Sequence, residues 1–187
     1  MNKAKVLPLI TYPDPLLKQV SKPVEKVDEQ LQEFMDNMLV TMYEEGGIGL
    51  AAVQVGVLKR ILVMDENYNH RYKKNSDVVH ADSKVESSNP IFIINPKIIK
   101  ASKALSDFNE GCLSFPEIRV EIKRPKEVTV EYLDYYGNNC QTEFDGILAT
   151  CVQHEIDHLN GITLIDHVSR LKREMLIKKM KKRNKNE

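Results

Sequence analysis

The chain has 187 residues, 42% of them apolar and 29% charged, with no Trp and a formal net charge of zero. That length suits one domain with its own core and is short for two. No apolar run approaches the ~18–20 residues that span a bilayer, and the apolar patch in MNKAKVLPLITYP is too short for a secretory leader and is interrupted by Pro8, so a cytoplasmic location is expected.

Residues 28–45 place Leu31, Phe34, Met35, Met38, Leu39 and Met42 at spacings of three and four, the period of an amphipathic helix. Asp28 suits the N-cap, and Gly46-Gly47 supplies the stop. The small-residue run GIGLAAVQVG then leads into a strand expected at 60–65. Residues 66–89 are polar and aperiodic, which predicts a loop insertion with too few apolar groups to bury itself. Strand is expected at 91–95 and again at 97–99, broken by Pro96. A strand at 127–135, the turn residues Gly137-Asn138-Asn139 and a partner strand at 140–144 read as a hairpin. A helix over 145–159 stops at Asn160-Gly161. A last helix over 169–182 carries Leu171, Met175, Leu176 and Met180 on one side. Strands paired by turns, with helices before and after them, define an α+β fold in one domain over 1–187. Residues 170–187 hold nine Lys or Arg against two Glu, a basic helix and tail of net +7 on a body of net −7.

The stretch CVQHEIDHLNG (151–161) falls inside the helix expected at 145–159. A helix advances ~100° per residue, so His154 and His158 lie ~40° and one turn apart. Both imidazoles can aim at one ion. Glu155, ~60° around from His158, can reach a water on that ion without taking a coordination position. This is the logic of H-E-x-x-H, although a solvated face with two chance histidines has the same pattern.

A catalytic site usually needs three protein ligands and one open position. Downstream, Asp166 and His167 stand eight and nine residues past His158. Upstream, EGCLSFPEIRV offers Cys112, whose thiolate is a strong ligand for zinc or ferrous iron. Gly111 beside it permits close backbone approach. The commonest fate of a single Cys is that of a small buried hydrophobe, so spacing leaves both sources open. The three cysteines, Cys112, Cys140 and Cys151, are odd in number and widely separated, which argues against a disulfide framework.

Three segments occur in order: GIGLAAVQ (47–54), EGCLS (110–114) and QHEIDH (153–158). Together they resemble the three signature motifs of the peptide deformylase family, and the likeness runs from TYPDPLL to the C-terminal helix. EGCLSFP and the helical tail are similar to the bacterial group with a helical C-terminus. The departure is 66–89, longer and more polar than the family pattern leads one to expect. The resemblance implies antiparallel sheets packed around a central helix carrying HEIDH. It implies a hydrolase that removes the N-formyl group from the formyl-methionine of newly made polypeptides and releases formate. One divalent ion, Fe2+ natively with Zn2+, Ni2+ or Co2+ as substitutes, is expected on Cys112, His154 and His158. Its bound water would attack the formyl carbon, with Glu155 as base and then acid, and with the Gln54 amide and the Leu113 backbone N–H as oxyanion donors. Ile48, Gly49, Glu110, Arg119 and Cys151 are expected along the substrate, and Asp157 with Arg124 as a pair behind the helix. The expected partners are formyl-methionyl nascent chains and, through the basic tail, the ribosome. No membrane and no disulfide partner is expected.

Two other readings make different demands. A general metalloprotease shares H-E-x-x-H but has no use for Cys112 in EGCLS or Gln54 in GIGLAAVQ. A non-catalytic, metal-stabilised binding module needs a fourth protein ligand, and no fourth residue stands in a ligand-like context.

Overall fold

Residues 61–64, Ile-Leu-Val-Met, set the architecture, because a strand with no polar face must be covered on both sides. The structure, a computed structural model, describes residues 4–66 and 89–183. Apart from its end residues, the loop insertion expected at 66–89 lies outside them, as does 184–187. The helices are α1 (Glu29–Glu44), α2 (Gly146–Leu159) and α3 (Arg170–Arg183). The strands are β1 (Gly49–Ala51), β2 (Ile61–Met64), β3 (Ile91–Ala101), β4 (Leu105–Cys112), β5 (Phe115–Pro125), β6 (Val128–Leu133) and β7 (Asn139–Phe144). Five of them form an antiparallel sheet in the order β1-β2-β3-β6-β7, and β4 pairs with β5 in a second sheet.

Side chains alternate along a strand, and β2 uses both faces. Ile61 and Val63 join Met35, Met38 and Met42 of α1 in one core. Leu62 and Met64 join Ala149, Val152, Ile156 and Leu159 of α2 in another. The five-stranded sheet thus lies between the two helices. On β5, Ile118, Val120 and Ile122 alternate inward onto Leu17, Leu164, Ile165 and Met180 of α3. α2 is buried at ten of its 14 residues, so it is the central helix of the fold and not a solvated one.

Most expected elements appear with their signals intact. The Asp28 carboxylate accepts the Leu31 N–H at 3.1 Å and caps α1, and Gly46 beyond its end takes φ +70°. No helix among the described residues is long and apolar enough to cross a membrane. Two expectations need correction. Pro96 does not break a strand: β3 runs through it, with a register shift between Ile94 and Lys97. A bulge is where a strand tolerates a residue with no N–H to give. The β4–β5 hairpin was not anticipated at all. Its β4 sequence, LSDFNEGC, is poor in β-branched residues and derives its strand character from pairing with β5.

Asn95 holds the bulge. It sits at φ +53°, its side chain accepts from Val24 N and donates to Val24 O, each at 2.8 Å, and its own N–H reaches Arg60 O at 2.8 Å. Asn95→Ala loses two side-chain hydrogen bonds and a residue tolerant of the left-handed region. It should lower stability by about 3 kcal/mol, read as a reduced midpoint in urea at unchanged slope.

Candidate active site

Three elements converge on one point. α2 presents His154 and His158 one turn apart, their ring centroids 5.0 Å from each other. β4 ends at Cys112, where the Leu113-Ser114 turn leads into β5. Cys112 Sγ lies 3.2 Å from His158 Nε2, and the sulfur and one nitrogen of each histidine all lie within 4.8 Å of one another. Asp166 and His167 do not join them. Asp166 is held by Lys18, Thr163 and Arg173, and His167 by Asp157.

These residues fit a divalent cation. His154 Nδ1 is 2.8 Å from Glu110 Oε2. Facing a carboxylate, that nitrogen donates, so Nε2 keeps its lone pair for a ligand. His158 Nδ1 is buried and has no hydrogen-bond partner among the described residues, while its Nε2 faces the sulfur. One sulfur and two imidazole nitrogens suit zinc or ferrous iron, and three donors leave a position open. Burial opposes charge on both rings. At His158 burial prevails and lowers the pKa well below the ordinary value. At His154 the hydrogen bonds to Cys112 and Glu110 outweigh burial and raise it.

Glu110, expected along the substrate, lines the cleft and is also paired on its inner side. Both its oxygens are committed: Arg124 Nε donates to Oε1 at 2.6 Å, and Arg124 Nη2 and His154 Nδ1 meet Oε2 at 3.1 and 2.8 Å. The reason is its depth, since a buried carboxylate must be paired. Burial would raise its pKa, but His154 and Arg124 together hold it below the usual carboxylate range. Arg124 Nη1 also donates to Asp157 Oδ2 at 2.7 Å, the pair expected behind the helix.

Glu155 is 4% exposed, and its Oε2 has no partner among the described residues. Burial, the largest influence, pushes its carboxyl up to about 7. Gln54 is buried as well. Its Oε1 accepts the Ala51 N–H at 2.8 Å, which turns Nε2 toward Ser114 Oγ at 3.2 Å and Cys112 Sγ at 3.6 Å. A cleft of about 720 Å³ opens over these groups, and Ile48, Gly49, Leu113, Arg119, Cys151 and Glu155 line it. Arg119 is exposed on the rim and donates to Asn109 O at 3.3 Å. Cys151 is buried, its Sγ 3.5 Å from Ile48 O, and burial raises its pKa well above the usual thiol value.

Sequence reasoning missed the supports of this site. The Ile10 N–H donates to Gln54 O at 2.7 Å and the Tyr12 N–H to Ser114 O at 2.9 Å. One extended segment thereby ties the Gln54 backbone to the turn after Cys112. Ser114 was in view as the last residue of EGCLS. The backbone role of residues 10–12 left no trace in side-chain type.

Residues 6–174 match the family model described as polypeptide deformylase. A peptide deformylase of Rhizobium meliloti (strain 1021) is 46% identical over 177 residues, which cover 95% of this chain and 93% of that protein. One from Bartonella quintana (strain Toulouse) is 48% identical over 180 residues, covering 96% and 94%. The crystal structure of peptide deformylase from Ehrlichia chaffeensis in complex with actinonin superposes with a TM-score of 0.82 at 43% identity, covering 96% of this chain and 98% of that one.

Gly49 leaves the space that Glu155 occupies. A Cβ there would stand 2.5 Å from Cys151 Sγ and 2.6 Å from Glu155 Oε1. Gly49→Ala must displace the carboxylate while leaving Cys112, His154 and His158 in place. Turnover of a formylated peptide should fall by about 10²-fold, with metal content per chain unchanged by elemental analysis.

Proposed function

The chain belongs to the polypeptide deformylase family, and on that premise we propose how its residues divide the work. It is a metal-dependent hydrolase that removes the N-formyl group from nascent polypeptides. The observation that carries the assignment of roles is the meeting of one sulfur and two imidazole nitrogens within 4.8 Å, at the floor of a cleft that also holds a buried carboxylate.

Cys112, His154 and His158 hold the ion. When bound, it supplies Lewis acidity that makes water nucleophilic near neutral pH. Fe2+ is the native ion, with Zn2+, Ni2+ or Co2+ as substitutes; a thiolate with two imidazoles suits each of them. Glu155 takes a proton from the attacking water and returns one to the leaving amine. Its burial supports this role, because a carboxyl titrating near 7 can both accept and donate at the working pH. The negative charge that develops on the formyl oxygen is met by Gln54 Nε2 and the Leu113 backbone N–H. The hydrogen bond that Ala51 gives Gln54 Oε1 supports this orientation of the amide. Ile48 and Gly49 flank the peptide, and Gly49 on edge strand β1 offers its backbone, a recognition that tolerates many sequences. Cys151 lines the methionine pocket, and Arg119 on the rim faces later residues of the chain. The reaction is carried by a single domain over 1–187 in the cytoplasm.

Two variants separate the base from the ligands. Glu155→Gln keeps shape and removes the base. It should retain about one metal per chain while formate release drops 10²–10⁴-fold, the usual cost of a lost general base. Cys112→Ala should lose metal and activity together, and excess metal should partly restore it alone. Normal turnover in the first variant would discard Glu155 as base; full metal and full rate in the second would discard Cys112 as ligand. Actinonin, bound by the Ehrlichia chaffeensis relative, should also bind this chain, read as a rise in its unfolding midpoint.

The basic end of the chain contacts the ribosome. The +7 of residues 170–187 suits an RNA surface, and such contact weakens steeply with salt. Truncation after Lys172 should abolish ribosome co-sedimentation at low salt and change little at high salt. Equal binding by the truncated chain would rule the contact out.

A further inference from the structure

Asp157 Oδ2 receives two hydrogen bonds: Arg124 Nη1 at 2.7 Å and His167 Nε2 at 2.8 Å. His167 closes a 3₁₀ turn, Leu164–His167, whose Leu164 and Ile165 are buried under β5. That turn is itself fastened. Arg173 of α3 donates to Ile165 O at 2.8 Å and to Asp166 O at 3.2 Å, and the Thr163 hydroxyl and N–H both reach Asp166 Oδ2 at 2.8 Å. The His167 ring is thus presented to Asp157 by a fixed piece of backbone. From it a continuous series of contacts runs inward: Asp157 to Arg124, Arg124 Nε to Glu110 Oε1 at 2.6 Å, and Glu110 Oε2 to His154 Nδ1 at 2.8 Å.

We propose that His167 is a positioning residue for the metal centre, holding His154 in its coordinating orientation through Asp157, Arg124 and Glu110. The inference rests on the reading of Cys112, His154 and His158 as metal ligands. The physical reason lies in the fork of Arg124. Its planar guanidinium grips a carboxylate on each side, so its plane is set by where both carboxylates stand. Glu110 is locked by two bonds from Arg124. Asp157 offers Arg124 a single oxygen, and His167 is the second donor that keeps that oxygen from rotating away. Without it the fork loosens on one side, and Glu110 and the His154 ring loosen in turn. A ligand ring less firmly oriented lets its ion go sooner.

The experiment uses the full chain loaded with one Zn2+ and follows release of the ion to excess chelator with a colorimetric indicator. His167→Phe keeps the ring and loses the donor, and it should release Zn2+ ~10-fold faster than the parent, in the range known for lost outer partners of metal-binding histidines. His167→Gln puts an amide N–H where Nε2 stood and should restore a slow release. Asp157→Asn should also release faster, and the double variant Asp157→Asn with His167→Phe should be no faster than Asp157→Asn alone, because one chain of contacts is broken once. Release from His167→Phe at the parent rate overturns the proposal. So does a Gln variant as leaky as Phe, or additive effects in the double variant. Unfolding midpoints of the metal-free proteins expose a merely structural role: a lower midpoint with an unchanged release rate also overturns it. If His167→Phe fails to fold, the Gln and Asp157→Asn arms carry the test, with unchanged release from Asp157→Asn as the refuting result. His154→Ala is the control for the underlying reading. If it binds Zn2+ as tightly as the parent, the ligand assignment fails; if it loses the ion while His167→Phe does not, only the present inference fails.

Discussion

The fork of Arg124 joins the two halves of the site. Cys112 arrives at the end of a hairpin and the histidines arrive on a helix, so nothing in the local chain brings them into register. Arg124 lies on β5, is 5% exposed, and grips Glu110 on β4 and Asp157 on α2 together. A buried charge left unpaired is costly, typically about 3–5 kcal/mol when one partner is removed. The hairpin and the helix can therefore meet only in the arrangement that satisfies all three ions, and that arrangement also seats Glu110 against His154.

The apolar cores make that polar interior affordable. α2 packs Val152, Ile156 and Leu159 against the five-stranded sheet, while the same buried helix turns His154, Glu155 and His158 toward the cleft side. Burial then tunes the groups that chemistry needs. It raises Glu155 to about 7, and it favours the neutral ring at His158. The space for Glu155 exists because residue 49 has no side chain, so a strand edge, a helix carboxylate and Cys151 share one tight contact. Packing and reactivity are set there by the same few ångströms.

Much of this was legible beforehand, for identifiable reasons. α1 follows from short-range signals, with apolar spacing at three and four, Asp28 before the first turn and Gly46 after the last, and α2 from its stop at Asn160-Gly161. His154, Glu155 and His158 share one helix, so their relative placement follows from helix geometry alone. Cys112 became a candidate through thiolate chemistry and the resemblance of EGCLS, whereas Asp166 and His167 stood nearer in sequence. Proximity along the chain does not decide the ligand, because the helix ends at Asn160 and the next turn heads elsewhere, His167 to Asp157 and Asp166 to Lys18.

The helical metal motif, the hairpin at Gly137, the basic C-terminus and the family pattern can all be read along the chain, since each depends on residues close together or on a motif read directly. It takes the folded chain to reveal that β3 continues through Pro96, that β4 is a strand, that Glu110 meets His154, and that residues 10–12 brace Gln54 and Ser114. Those outcomes depend on partners far apart in the chain. A bulge, a borrowed strand, a buried ion pair and a backbone brace are each defined by what lies opposite, and a linear pattern does not contain the opposite side.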